Sequence, residues 1–329
     1  MDSARNTVYL CLILLVCLLH SSLSFNSSHL TACGTRNLIT VNDVFNLADD
    51  VILITGAGNG LGRYLCVEFS KYCSTILALD IDEKGLNETA ELVSTVTGCS
   101  IKTYTCDLKD KQAIDKFTEL IIERYGGITV LVNNAGILKG GAFLKGTRED
   151  FEDALKVNTL AHYQLIKAFL PSMLGNEDSL QFSEQRRKTP YGHIVCISSV
   201  SGVMPFRGLP IYGASKAAAL SLMESLELEL ASTGITDQIC ITKVLPYLMN
   251  TSLIGGIIGS RSSIFSVNDT VWCAKRIVEG VLKNERVIYI GSCMRLFAIL
   301  KLLSPIYAYR YVNKLMSTSV IYAQKPCSN

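Results

Sequence analysis

Between about residues 50 and 285 the chain alternates short, uninterrupted apolar runs with longer stretches whose apolar positions recur at helical spacing. VILI (51–54), TILALD (75–80), IKTYTCD (101–107), ITVLVNNAG (128–136), HIVCISS (193–199) and QICITKVLP (238–246) read as six strands. Helical spacing predicts helices over roughly 60–72, 83–97, 109–125, 151–174 and 212–231. Strands that are apolar on both sides of the pleat are covered on both faces, and intervening helices make them parallel. The expectation is one α/β domain, a single doubly wound parallel sheet, with no linker and no internal repeat. Residues 175–190 (GNEDSLQFSEQRRKTP) break the rhythm. They are polar and longer than an ordinary helix-to-strand connection, and read as a surface loop, an insertion or, alternatively, a docking site.

The two ends follow a different pattern. Val8–Leu19 (VYLCLILLVCLL) is apolar and follows Arg5. A helix of that length reaches about 18 Å, short of a hydrocarbon core of about 30 Å. Residues 1–25 are therefore read as a signal anchor, with a signal peptide cleaved near Ser24 as the alternative. Residues 26–49 are a linker. From 286 to 329 aromatic and aliphatic residues alternate with Arg295, Lys301, Arg310 and Lys314. That C-terminal amphipathic extension suits the membrane interface, and equally a helix lidding a substrate pocket.

Composition narrows the function classes. The 329 residues carry 31 Lys plus Arg against 29 Asp plus Glu, a net charge of +2. That balance argues against nucleic acid as the main partner. Charged residues are 18% and mean hydropathy is +0.30, which excludes wholesale disorder and points toward contact with lipid. The 12 cysteines form no CxxC pair, so neither a disulfide framework nor a metal site is expected.

TGAGNGLG (55–62) lies where a strand hands over to a helix. Gly56 permits a tight turn, Gly60 lets backbone approach a pyrophosphate, and Gly62 brings helix and strand together. The N–H groups at the helix start then face phosphate, as in a Rossmann fold. Asp80 ends the second strand, where a carboxylate accepts from adenosine ribose hydroxyls and repels a 2′-phosphate. With no basic residue at 79–81 and a neutral Asn59, NAD is expected over NADP. The alternative for Asp80 is a helix N-cap. Asp107, ending the third strand, is placed near the adenine amino group or, equally, in a plain cap.

Tyr212 and Lys216 stand four residues apart, on one face of a predicted helix. A phenol titrates near 10, too high for a base at neutral pH, unless a nearby ammonium and a cationic nicotinamide favour its ionised form. Tyr212 is then a proton acceptor for an alcohol. Ser199, at a strand end, is placed to hydrogen-bond the substrate oxygen, while alternation points Ser198 the other way. Asn158 (in VNTL) is read as a buried amide holding a water against Lys216. Pocket walls are expected in 202–211 and 247–270, where apolar residues are frequent.

TGAGNGLG, Asp80, NNAG (133–136), Asn158, Ser199 and YGASK, in this order and spacing, resemble the short-chain dehydrogenase/reductase family over residues 50–285. The resemblance implies a catalytic tetrad of Asn158, Ser199, Tyr212 and Lys216, with Lys216 also binding the nicotinamide ribose. It places Gly56, Asn59, Gly60, Leu61, Gly62, Asp80, Asp107, Leu108, Asn134, Ala135, Gly136 and Thr251 against the dinucleotide. It also implies that NNAG, including Asn133, stabilises the central strand. Where the family usually has Pro-Gly this chain has Pro246-Tyr247. Within the family the apolar leader, LALDID, GHIVCISSVSG and the basic-apolar C-terminus resemble the retinol and hydroxysteroid dehydrogenase branch. That branch implies an NAD-dependent oxidoreductase of an apolar retinoid, steroid or other lipid alcohol. It implies the endoplasmic reticulum membrane or lipid droplet as location, with secretion after signal cleavage as the alternative. A homodimer through 151–174 and 212–231 is expected on the same ground. The rival readings are a scaffold protein that keeps the fold with little turnover, and a nucleotide-sugar epimerase, which the TGxxxGxG spacing disfavours.

Overall fold

The structure, a computed structural model, describes residues 50–73, 75–175, 192–232, 238–251, 257–258, 267–291, 294–303 and 321–322. The leader, the linker and the 175–190 insertion (apart from Gly175) lie outside the described residues.

Strands β1 (Val51–Thr55), β2 (Thr75–Asp80), β3 (Lys102–Thr105), β4 (Val130–Asn133), β5 (Gly192–Ile197) and β6 (Ile239–Pro246) are the six expected. A two-residue β7 (Ile257–Ile258) follows, then β8 (Val287–Ile290), while Ile321–Tyr322 (β9) pairs antiparallel with β7. The main sheet runs β3-β2-β1-β4-β5-β6-β8, and every pairing in it is parallel. The sheet thus continues beyond residue 285, where the sequence pattern placed the start of the extension. The run VIYI had read as the first part of an apolar-basic tail, but it pairs with β6 as an edge strand.

Helices α1 (Gly60–Phe69), α2 (Glu83–Thr97) and α3 (Lys111–Tyr125) follow the first three strands. After β4 come a short 3-10 turn (Phe143–Lys145), α4 (Arg148–Leu155) and α5 (Ala161–Met173). Then follow the four-residue α6 (Val200–Val203), α7 (Pro210–Ser232), α8 (Thr270–Leu282) and α9 (Met294–Leu303). The period-two pleat sorts the core into two layers. Ile52, Ile54, Ala78, Val130 and Val132 pack on Leu61, Leu65 and Phe69 of α1, on Leu86 and Val93 of α2 and on Ile277 of α8. Val51, Leu53, Leu77, Leu79 and Leu131 pack on α3, α5 and α7 through Phe117, Leu165, Phe169 and Met223.

Helix ends are set by short polar side chains. Asn59, Asp82, Asp110 and Asp269 cap α1, α2, α3 and α8 by accepting from backbone N–H groups. Gly98 and Gly126 close α2 and α3 with φ of +73° and +68°. The long helix expected over 151–174 is instead two helices joined by a π-helical turn, Lys156–Leu160, that contains Asn158. Such a turn holds one more residue than an α turn and rotates the face that follows by about 100°, a change of phase lost among the mixed positions of so short a stretch, and it is a frequent mark of a functional position.

The strand order reverses between β1 and β4: the chain winds outward on one side through β2 and β3, and on the other through β5, β6 and β8. In open parallel sheets the crevice at the carboxyl ends beside that reversal is where ligands bind.

Candidate active site

A cavity of about 310 Å³ opens at that crevice. Its floor is the Gly-rich turn. Thr55 ends β1, and its hydroxyl accepts from the N–H groups of Asn134 and Ala135 at 3.0 Å each. Asn134 returns the bond from its amide to the Thr55 carbonyl at 2.8 Å. The turn after β1 is so tied to the end of β4. Gly56 and Gly60 have φ of +66° and +52°, a region closed to most side chains. Gly62 is a packing glycine: a Cβ on it would lie 2.0 Å from the Gly56 carbonyl oxygen. It brings α1 against β1 and does not line the cavity, whereas Gly56, Asn59, Gly60 and Leu61 do.

Asp80 lines the same cavity. It is not a helix cap, since Asp82 has that role. Its two oxygens accept from Gly58 N–H at 2.9 Å and Asp82 N–H at 3.0 Å, fixing the carboxylate beside the turn. Asp107 and Leu108 are not among the lining residues, and Asp107 accepts from Lys109 N–H at 2.8 Å as a turn-forming side chain. Asn134, Ala135, Gly136 and Thr251 are at the cavity wall. Asn133 is fully buried in β4, and neither atom of its amide has a partner among the described residues.

Ser199, Tyr212 and Lys216 all reach this cavity. Ser199 caps α6 by accepting from Ser201 N–H at 3.1 Å, donates to the Pro246 carbonyl at 3.5 Å, and favours the ionised form of the neighbouring Tyr212 phenol. Ser198, expected to point the other way, also lines the cavity, but its hydroxyl is engaged, donating to the Lys216 carbonyl at 2.9 Å. Lys216 is buried, and its Nζ donates to the Ile197 carbonyl at 2.8 Å. Burial pulls its ammonium down to about 8. Burial also pushes the Tyr212 phenol up to about 12, the Ser199 hydroxyl opposing this only in part. The sequence-based expectation that Lys216 lowers the phenol is not met by the protein groups alone. The ammonium is engaged with a strand carbonyl, and desolvation dominates.

Asn158 does not line the cavity. The π turn carries its amide to the chain leaving β4, where it accepts from Ile137 N–H at 2.8 Å and donates to the Ile137 carbonyl at 3.0 Å. It also donates to Ser215 Oγ at 2.8 Å, and that hydroxyl donates to the Tyr212 carbonyl at 2.8 Å. A single amide so connects the segment after β4 to the helix turn that carries Tyr212. Asn158 Oδ1 and Lys216 Nζ both lie 3.2 Å from where a Cβ on Gly136 would be, so any side chain there would crowd both groups.

The far wall is apolar. Phe206 and Leu209 fall in one sequence-expected window, and Tyr247, Leu248 and Met249 in the other. Leu138 was missed, for it lies in a loop with no periodic signal. Tyr247, in place of the usual glycine, is buried against Phe206 with ring centroids 6.2 Å apart. Behind it, Met294 and Ala298 of α9 join Val200, Met204 and Leu245 in a third apolar cluster. Lys301 of α9 donates to the Val203 carbonyl. The described part of the C-terminal extension therefore backs the pocket, and no described helix is long and apolar enough to cross a membrane.

The residues at the turn fit a dinucleotide. Two positive-φ glycines, a helix start and a carboxylate at the next strand end share one cavity. Comparison with known proteins agrees. A family model described as short chain dehydrogenase matches residues 50–257. Epidermal retinol dehydrogenase 2 of Homo sapiens is 32% identical over 263 residues, covering 79% of this chain and 80% of that protein. Estradiol 17-beta-dehydrogenase 11 of Homo sapiens is 30% identical over 260 residues, 79% and 81% of the two chains. Among solved structures, a short chain dehydrogenase/reductase from Burkholderia phymatum in complex with NAD superposes with a TM-score of 0.68. It is 21% identical and covers 79% of this chain and 95% of its own, a likeness of fold.

Proposed function

The chain belongs to the short-chain dehydrogenase family and is an oxidoreductase acting on alcohol and carbonyl groups; we propose that it interconverts an apolar lipid alcohol and its carbonyl with NAD, using Tyr212 as acid and base. The observation that carries this reading is the meeting of Ser199, Tyr212 and Lys216 with the glycine turn and Asp80 in one cavity. Gly56, Asn59, Gly60 and Leu61 hold the pyrophosphate side, and Asp80 accepts from ribose hydroxyls and excludes a 2′-phosphate. When bound, the dinucleotide supplies the hydride acceptor or donor and, oxidised, a positive ring that favours the phenolate. Ser199 donates to or accepts from the substrate oxygen and holds it beside the phenol. Tyr212 takes the hydroxyl proton in oxidation and returns it in reduction. Lys216 binds ribose hydroxyls and supplies positive charge, and Asn158 fixes the segments on which Tyr212 and Gly136 sit. Asp107 and Leu108 are assigned to the adenine end of the same cofactor, beyond the cavity wall.

The apolar wall of Leu138, Phe206, Leu209 and Met249 supports a retinoid, steroid or similar substrate, in line with the names of the two relatives. The apolar run Val8–Leu19 supports residence at the endoplasmic reticulum membrane or a lipid droplet. Exposed Phe151, Leu160, Tyr163 and Leu228, on the helices expected at a dimer interface, support a homodimer. The test is NADH formation by purified protein over a panel of retinoids, hydroxysteroids and fatty alcohols. Turnover should appear with at least one, and Tyr212→Phe should lower kcat by about 10²–10⁴-fold. Dinucleotide binding without turnover across the panel would favour the scaffold reading.

A further inference from the structure

Phe143 and Leu144 are the most exposed large apolar residues described, 79% and 95% accessible, and they are adjacent in a single 3-10 turn. Isolated exposed apolar side chains are common on soluble proteins, but two neighbours projecting from a loop tip call for a partner. The turn belongs to the segment leaving β4. That segment carries Leu138 in the cavity wall. Gly141 N–H donates to the Gly208 carbonyl at 2.9 Å, which ties it to the loop carrying Phe206 and Leu209. Gly146 packs against Ile211, next to Tyr212. The segment that carries the apolar tip thus also supplies Leu138 to the cavity wall and is bonded to the loop that supplies Phe206 and Leu209.

The charges around it are uneven, with two cations against one exposed anion, Glu149, outside the ion pairs among the described residues. Lys139 is paired with Asp150 at 2.9 Å and Arg148 with Glu152 at 2.6 Å. Lys145 and Arg207, both exposed, have no ion-pair partner among the described residues. Lys145 adjoins Leu144, and Arg207 lies in the loop bonded to Gly141. A convex apolar tip flanked by unpaired cations suits insertion between lipid headgroups with the cations at anionic phosphates.

We propose that Phe143 and Leu144 enter the surface of an anionic phospholipid layer, with Lys145 and Arg207 on its headgroups, so that the pocket opens toward lipid. An apolar alcohol dissolved in that layer then reaches Tyr212 without crossing water, which rests on the substrate class proposed above. The contact itself does not.

The N-terminal apolar run of the full chain can hold it on vesicles by itself, so the probe has to be local. The chain has one tryptophan, so Phe143→Trp in a Trp272→Phe background gives a single reporter at the tip. Mixed with phosphatidylcholine and phosphatidylserine vesicles, the emission of that reporter should shift to the blue and be quenched by brominated acyl chains. Lys145→Glu with Arg207→Glu should remove the dependence on phosphatidylserine. Phe143→Asp with Leu144→Asp should lower kcat/KM about tenfold for a vesicle-dissolved alcohol and leave that for a water-soluble short alcohol unchanged. A reporter that is neither shifted nor quenched on any vesicle overturns the proposal. So does a blue shift that grows with protein concentration in the absence of lipid, which would assign the tip to a second copy of the chain. Quenching without turnover of any alcohol would leave the lipid contact standing and remove the proposed reaction.

Discussion

Tyr212 and Lys216 are pulled in opposite directions by the same desolvation, the phenol up to about 12 and the ammonium down to about 8. Their environment makes the neutral phenol and a readily discharged ammonium the favoured partners until positive charge arrives in the cavity. Spacing alone brought the two residues together, but the balance between burial and charge needed the packed site. Asp80 was legible as a cavity residue, because a strand end, a carboxylate and the absence of nearby Lys or Arg are all readable locally. Its bonds to Gly58 and Asp82 show why the carboxylate is rigid. Asp80→Asn should raise the KM for NAD by about tenfold or more, change kcat little, and shift preference toward NADP, since the charge that repels a 2′-phosphate is gone. Steady-state kinetics with both dinucleotides measure it, and an unchanged preference would remove Asp80 from cofactor selection.

At the scale of elements, strands and most helices were legible because two-faced burial leaves uninterrupted apolar runs and capping residues mark helix starts. Three features were not. The π turn around Asn158 adds a single residue to one turn, too short a change of phase to read from the apolar pattern. The edge strand β8 is four residues long and adjoins a basic-apolar segment that hides it. Leu138 is in a loop, where packing and not periodicity chooses the residue. The π turn has an energetic consequence. Asn158→Ala leaves Ile137 N–H and its carbonyl without their side-chain partner in a partly buried place, at a cost of about 1–2 kcal/mol. Urea unfolding should show that loss, together with a fall in kcat larger than any rise in KM, because Ser215 then loses its tie beneath Tyr212. Equal stability of the variant would mean that water replaces the amide.

For the whole molecule, two buried histidines contribute to the response to acid. Burial holds His162 and His193 down to about 3 from a usual 6.5, with the Lys216 charge adding to the effect at His162. Both are neutral in the folded chain, while the unfolded chain takes up protons as pH falls below about 6.5. Their contribution to stability is therefore complete above about 6.5 and is lost progressively as pH falls toward 3. Each should add a slope of about 1.4 kcal/mol per pH unit in that window. His193→Gln, which keeps a polar partner for Thr242, should flatten the measured dependence of unfolding free energy on pH, and an unaltered slope would place the acid sensitivity elsewhere. The grip of Lys301 on the short helix after Ser199 has a separate consequence. The hydride chemistry is housed by the sheet, yet the rear of the chamber is borrowed from chain that follows its last strand. Trimming or exchanging that tail can therefore retune which molecules are admitted while the machinery that reacts with them stays as it was.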